Sequence, residues 1–373
     1  MTNQLRLYQP TIQQRTAATT PEIYTAVNNH APIAIGVSGG KDSCAVAFAV
    51  TDYLDLFGHR GPRVLVHADL GRTEWKDSLP TCQRLADRLG LELIVVRRRA
   101  GDMLARWQVR WQNNVRRYAN LECVKLILPW STASMRFCTS ELKTHIIESD
   151  IVRRFPGQTV VNVTGIRAQE SSNRAKQPVA SGPWKLSITR AVQSFDWHAI
   201  HGWSEQDVYR YLEEKRFPLH EAYTTYGSSR VSCCFCILQS KADSEAAARC
   251  ADNHATYRAL VDLEIESTFS FWDSRWLGDV APNILNREAR FQLIHSKLAA
   301  TCREAEEAKL PRHLLYTKGW PTAVPTQAEA AVLANVRTHV AHAVLIHINY
   351  TDPSSIIARY QELMAQKEAK LER

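Results

Sequence analysis

Ser38-Gly-Gly-Lys-Asp-Ser43 stands at the end of a short apolar run, Pro32-Ile-Ala-Ile-Gly-Val37, and at the head of good helix formers, residues 44–57, that stop at Gly58. Such a run, ended by turn residues, reads as a strand buried on both faces, and a following glycine suits a helix end. Two adjacent glycines let the backbone aim its N–H groups at an anion. The helix amino end adds partial positive charge, and Lys41 and the two serines supply further donors. The stretch predicts a strand, a phosphate-holding loop and a helix in succession. It has neither the Gly-x-x-x-x-Gly-Lys-Ser/Thr spacing of the common ATPase loop nor the Gly-x-Gly-x-x-Gly of dinucleotide folds, so both readings are excluded.

The same alternation continues on either side. Residues 63–67 predict a second strand, 75–89 a second helix closed by Gly90, 91–96 a third strand, 140–154 a further helix and 159–163 another strand. Strands alternating with helices predict an α/β fold, a doubly wound, mostly parallel sheet with its ligand site at the carboxyl ends of the strands, over residues 1–230. From about Ser204 the pattern turns helical, with a candidate N-cap at Ser204 and long polar-faced segments at 244–267, 286–309 and 353–373. Residues 231–373 are expected to form a cysteine-motif and helical C-terminal part.

The chain has 373 residues, is 45% hydrophobic and 23% charged, and carries a net charge of +8, the balance of a globular protein and not of a disordered one. No run approaches the roughly 20 apolar residues of a membrane span, and Met1–Thr16 is polar where a signal peptide needs an apolar stretch. A cytoplasmic location without membrane contact is therefore expected. Nine cysteines, an odd and clustered set, point to metal or redox chemistry in a reducing compartment instead of a disulfide framework.

With these features the loop resembles that of the PP-loop ATP pyrophosphatases, in which an SGGxDS sequence holds the pyrophosphate of ATP while the α-phosphate is attacked. His67-Ala-Asp-Leu-Gly-Arg-Thr-Glu-Trp75, Arg136-Phe-Cys-Thr-Ser-Glu-Leu-Lys143, Gly165-Ile-Arg-Ala-Gln-Glu-Ser171 with Arg174, and Trp203-Ser-Glu-Gln-Asp-Val208 resemble the phosphoadenylylsulfate (PAPS) reductase-like branch, over roughly residues 30–270. The resemblance implies an adenine nucleotide alpha-hydrolase-like sheet. It also implies ATP bound by Ser38, Gly39, Gly40, Lys41, Asp42, Ser43, Asp69, Arg167 and Glu170, with Lys41, Asp42 and Ser43 catalytic. Chemically, Arg167 suits bidentate pairing with phosphate, and Asp42 and Asp69 suit Mg²⁺ or a ribose hydroxyl.

Cys233-Cys-Phe-Cys236 contains a C-x-x-C pair, and Cys138 lies 95 residues before it. Thiolates on a tight turn hold Zn²⁺ or an iron–sulfur cluster, and spacing does not choose between them. The resemblance favours iron–sulfur, of the 4Fe-4S type: iron–sulfur sulfonucleotide reductases place paired cysteines where this chain has Cys138 alone, followed by a later C-x-x-C, so three of the four ligands the resemblance implies are in register. Three-cysteine ligation would leave one iron open to a sulfur donor, unless Cys234 or Cys250 fills the fourth position. Cys44, Cys82, Cys123 and Cys302 read as packing residues.

Residues 97–117 carry seven arginines against Asp102, a net +6. Trp107 and Trp111 share one helical face, with Arg106, Arg110 and Arg117 on a neighbouring stripe. This is either a nucleic-acid-binding surface, with arginines on phosphates and indoles on bases, or a solvated helix whose tryptophans pack on the sheet.

The resemblance is best to the DNA phosphorothioation branch. It implies an ATP pyrophosphatase that adenylylates an oxygen of nucleic acid, DNA before RNA, after which sulfur displaces AMP. The sulfur donor is expected to be a cysteine desulfurase, since this chain has no pyridoxal-phosphate signature. A transfer-RNA thiolation enzyme is the alternative. A sulfonucleotide reductase would need a nucleophilic cysteine near the C-terminus, and none follows Cys302.

Overall fold

Strand β1 (Ile33–Gly36) is buried on both faces, as its unbroken apolar sequence requires. With β2 (Arg63–Asp69), β3 (Glu92–Arg97), β4 (Thr159–Val163), β5 (Ala180–Ser187) and β6 (Val192–Trp197) it builds a six-stranded sheet of order β3-β2-β1-β4-β6-β5. All neighbours are parallel except β5 and β6, which form an antiparallel hairpin. This is the doubly wound, mostly parallel α/β sheet expected from the alternation. The hairpin is an addition to that expectation: its outer strand is interrupted by Pro183 and two register shifts, so it lacks a clean period of two.

Alternate residues of the strands face two apolar layers. Ile33 and Ile35 pack with the helix Lys41–Leu56, with Cys82 and Leu85 of Ser78–Leu89, and with Val208 and Leu212 of Glu205–Glu214. Ala34, Val64 and Val66 pack on the other side with Ile151 of His145–Arg154. The helix Lys41–Leu56 is rich in alanine, and Gly58, at φ +63°, ends it. The Gly58 and His59 amides return to the Asp55 and Leu54 carbonyls, the paired bonds of a Schellman end.

The computed structural model describes residues 16–371, and the chain divides into two compact units. The sheet unit comprises residues up to Asp69, Trp75–Arg97 and Glu141–Ser232, and the helical unit comprises Leu70–Glu74, Arg98–Ser140 and Cys233 onward. The helical unit is built on Met103–Ala119, Lys241–Arg249, His254–Ser267, Arg287–Glu307, Gln327–Val344 and Pro353–Leu371. The single helix expected over 244–267 is two, because Cys250 turns to extended backbone and Asn253 donates its side-chain amide to the Ala247 carbonyl at 2.9 Å. The helix expected from residue 140 begins with a π-helical turn, Ser140–Thr144. No described helix is long and apolar enough to cross a membrane.

Trp107, 1% exposed, sits in the core of the helical unit, its ring 5.5 Å from Trp130 and 5.8 Å from Phe271 between centroids, edge to face. Trp107→Ala should therefore lower folding stability by about 3–5 kcal/mol, read from the denaturant midpoint. An exposed indole would give a change of only tenths of a kcal/mol.

Candidate nucleotide-binding site

The Ser38–Ser43 loop falls at the carboxyl end of β1. Strand β2 lies on one side of β1 and β4 on the other, which makes this the switch point where open α/β sheets bind ligands. Gly39 adopts φ +76°, and a Cβ there would lie 2.9 Å from the Ser78 carbonyl oxygen, so glycine alone fits. Gly40 is the N-cap of Lys41–Leu56 and brings no capping side chain. The first amides of a helix have no intrahelical acceptor, so the positive end of this one faces the crevice. The Ser43 hydroxyl donates to the Gly40 carbonyl at 2.8 Å and accepts the Ser38 amide at 3.2 Å, closing the loop. Beyond β4, a Cβ on Gly165 would come within 2.6 Å of the Asp42 carbonyl oxygen, so this glycine lets the second segment touch the loop.

The charged groups are tightly paired. Lys41 is buried, its Nζ 3.1 Å from the Ser229 carbonyl, 3.1 Å from Glu205 and 3.6 Å from Asp42, against the rings of Tyr209 and Tyr223. The Tyr223 hydroxyl accepts the amides of both Lys41 and Val231 at 3.1 Å. Arg167, 4% exposed, donates Nε to Asp42 at 2.5 Å and Nη1 to Gln169 at 3.1 Å. Glu170 accepts the Arg167 amide at 3.0 Å and pairs with Arg174. Asp69, at the end of β2, pairs with Arg97.

The structure thus joins the loop to Arg167, and through it to Glu170, which braces the arginine's backbone. Sequence reasoning missed Tyr223, Tyr209, Ser229 and His220, which occur in no spacing that marks them. Glu205 lay inside a segment noted for its resemblance but was given no role.

His220 supports the loop from below. Its Nδ1 accepts the Ala222 amide at 2.9 Å, so the neutral ring carries its proton on Nε2 and donates it to Ser78 Oγ at 3.3 Å. Burial lowers the imidazole from 6.5 to about 4. The unfolded chain takes up this proton near 6.5 and the folded chain only near 4, so the unfolded state binds more protons between them. The stabilisation is complete above 6.5 and is lost as pH falls through 4. Urea midpoints measured across this interval should rise with pH in the native protein and rise less in His220→Gln.

Cys138, Cys233 and Cys236 all lie in the helical unit and are half-buried, while Cys234 and Cys250 are buried. Burial holds the Cys234 thiol far above its ordinary range, as suits a packing residue. Among the described residues, no three His, Cys, Asp or Glu side chains are grouped as a metal site requires. Cys44, Cys82 and Cys123 are buried as expected, whereas Cys302 is exposed on the outer face of Arg287–Glu307.

In the basic stretch Arg106, Arg110 and Arg117 are partly exposed, but Trp107 and Trp111 are 1% exposed and cannot stack on bases. They pack within the helical unit and not on the sheet; Trp111 donates Nε1 to Glu266 at 3.0 Å.

A doubly wound sheet carrying a glycine loop at its switch point defines an α/β domain of the kind that binds its ligand at the carboxyl ends of the strands. Residues 32–239, more than half of the chain, match the phosphoadenosine phosphosulfate reductase domain, and the protein belongs to that family, of the PP-loop type. No curated protein matches the chain. Solved structures similar to it include the phosphoadenylyl-sulfate (PAPS) reductase from Candida auris in a phosphate complex, at 10% identity over 58% of this chain and 97% of that chain, with a TM-score of 0.35. The U34-tRNA thiolase NcsA from Methanococcus maripaludis with its [4Fe-4S] cluster is similar at 11% identity over 70% of this chain and 87% of that chain, with a TM-score of 0.32.

Proposed function

We propose that this protein is an ATP pyrophosphatase that activates an oxygen of nucleic acid for replacement by sulfur, with DNA phosphorothioation as the particular reaction. The observation that carries the reading is the helix amino end at Gly40, whose N-cap residue brings no side chain, set behind the Ser38–Ser43 loop at the sheet's switch point in a chain of this family. The nucleic-acid oxygen attacks the α-phosphorus, the bond to the bridging oxygen breaks, and pyrophosphate leaves with the electron pair; the outer sulfur of a partner cysteine desulfurase's persulfide then attacks the activated nucleic-acid phosphorus and AMP leaves, and a thiol reductant cleaves the remaining sulfur–sulfur bond, itself ending as a disulfide. The loop amides and the helix end receive the charge that develops on pyrophosphate. Arg167 is poised to exchange Asp42 for a phosphate oxygen. Mg²⁺ carried on the phosphates would neutralise the leaving group; it is usually held by one or two carboxylates plus substrate oxygens, and Asp42 supplies one at the loop.

Incubation with ATP and DNA should yield AMP and pyrophosphate, with sulfur appearing in nuclease-resistant dinucleotides when a desulfurase and cysteine are added. Asp42→Ala and Ser43→Ala should each slow turnover by about 10²–10³. ADP and orthophosphate as sole products would overturn the assignment, and sulfur found only in RNA would redirect it to RNA thiolation.

Cys138, Cys233 and Cys236 are proposed to anchor a 4Fe-4S cluster on their residue type and on the sequence resemblance, and no step is routed through it. Protein purified without oxygen should contain iron and absorb in the visible range, and a serine at any of the three should bleach it while Cys82→Ser does not. Stoichiometric zinc without iron would refute this.

A further inference from the structure

The helical unit encloses a cavity of about 860 Å³ that the ATP chemistry leaves unused. It is lined by the segment 131–134, with Leu128 before it, by the segment 268–276, and by one stretch of the helix Arg287–Glu307 that includes Lys297, Arg303 and Glu304. Its lining includes the hydroxyl residues Thr132, Ser134 and Thr301 and the indoles of Trp272 and Trp276. Such a mixture suits a flat ring with polar edges better than an aliphatic chain.

Two further observations say what that ring belongs to. The basic stripe braces the first segment: Arg110 donates Nε to the Leu128 carbonyl at 3.1 Å, and the guanidinium groups of Arg106 and Arg110 lie 4.7 and 4.9 Å from the centre of the Phe137 ring. Partly exposed arginines next to a cavity with room for a base and its sugar match a phosphate chain whose base is turned inward. Both cysteine segments also meet the cavity. The amide of Cys138 donates at 3.3 Å to Oγ of Ser131, a lining residue only 2% exposed, which also accepts Trp107 Nε1 at 3.4 Å. That leaves the Ser131 hydroxyl proton for a ligand. On the other side Trp272 donates Nε1 to the Cys236 carbonyl at 3.2 Å, and Ile237 lines the cavity.

We propose that this cavity receives one nucleobase turned out of a polynucleotide, with Arg106 and Arg110 on its flanking phosphates, so that the nucleotide to be modified rests beside the Cys138 and Cys236 segments. The proposal rests on the nucleic-acid reading above and adds the place where the substrate is held. It does not depend on which metal, if any, the cysteines bind.

The test is fluorescence anisotropy with short end-labelled single strands, deoxy and ribo, each compared with an abasic strand of the same length. The native protein should bind the intact strand about tenfold or more tighter than the abasic one, the usual worth of stacking a base on an aromatic side chain. Trp276→Ala should bring that ratio close to one and leave the salt dependence unchanged, while Trp276→Phe should keep the ratio. The double variant Arg106→Ala, Arg110→Ala should flatten the salt dependence and keep the ratio. Preference for the deoxy or the ribo strand identifies which polynucleotide supplies the base. Equal binding of intact and abasic strands, or an unchanged ratio in Trp276→Ala, overturns the proposal. ATP cleavage assayed on the same preparations tells the two failures apart, since equal strand binding overturns the cavity assignment whether or not ATP is cleaved.

Discussion

The sheet unit is organised around a buried cation. Lys41 enters the interior on the first residue of the helix behind β1, and a lysine ammonium taken out of water costs several kcal/mol unless oxygens replace the water it loses. Three oxygens do so, from Ser229, Glu205 and Asp42, with two phenol rings covering the remaining sides. Each comes from a different stretch of chain, so satisfying one charge draws the segments around residues 205–209 and 223–231 against the loop. The Tyr223 hydroxyl tightens the same junction from the backbone side.

This arrangement governs what the crevice offers the proposed nucleotide. Lys41, Arg167 and Arg174 are matched by Asp42, Glu205 and Glu170, so the side chains around the loop are close to neutral as a set. The positive field left for a triphosphate is then mostly that of the helix end and the loop amides, and side-chain cations join by changing partners. Arg167 is suited to that exchange because its backbone is fixed by Glu170 and its Nη1 by Gln169, leaving only the pairing with Asp42 to be traded. Under the proposed function, binding rearranges existing ion pairs instead of ordering long, mobile side chains.

In the helical unit a sequence pattern divided into two parts. Arginines and tryptophans alternate along Met103–Ala119, and from the sequence both belonged either to a binding surface or to a packed helix. The structure separates them: the indoles are core, and the arginines stay partly exposed over Phe137 and the Leu128 carbonyl. A helix facing a core on one side does this to any amphipathic mixture. The indoles that line the cavity are instead Trp272 and Trp276, whose short irregular loop has no period to betray them.

Much of the architecture was legible because it is local. An apolar run, two glycines and an alanine-rich segment specify β1, its loop and its helix through backbone sterics and burial alone, and the same logic marked β2, β3 and β4. The β5–β6 hairpin was not legible, since its edge strand is half exposed and broken by Pro183. Nor was the joining of residues 98–140 to the helical unit, or the pairing of Asp42 with Arg167 across 125 positions, or the oxygens around Lys41. Local sequence was enough for β1 to β4, for the turns between them, and for a glycine loop after the first strand. The tertiary structure alone decided which charges meet and which aromatic rings remain within reach, because burial and ion pairing depend on contacts between residues that no local pattern relates.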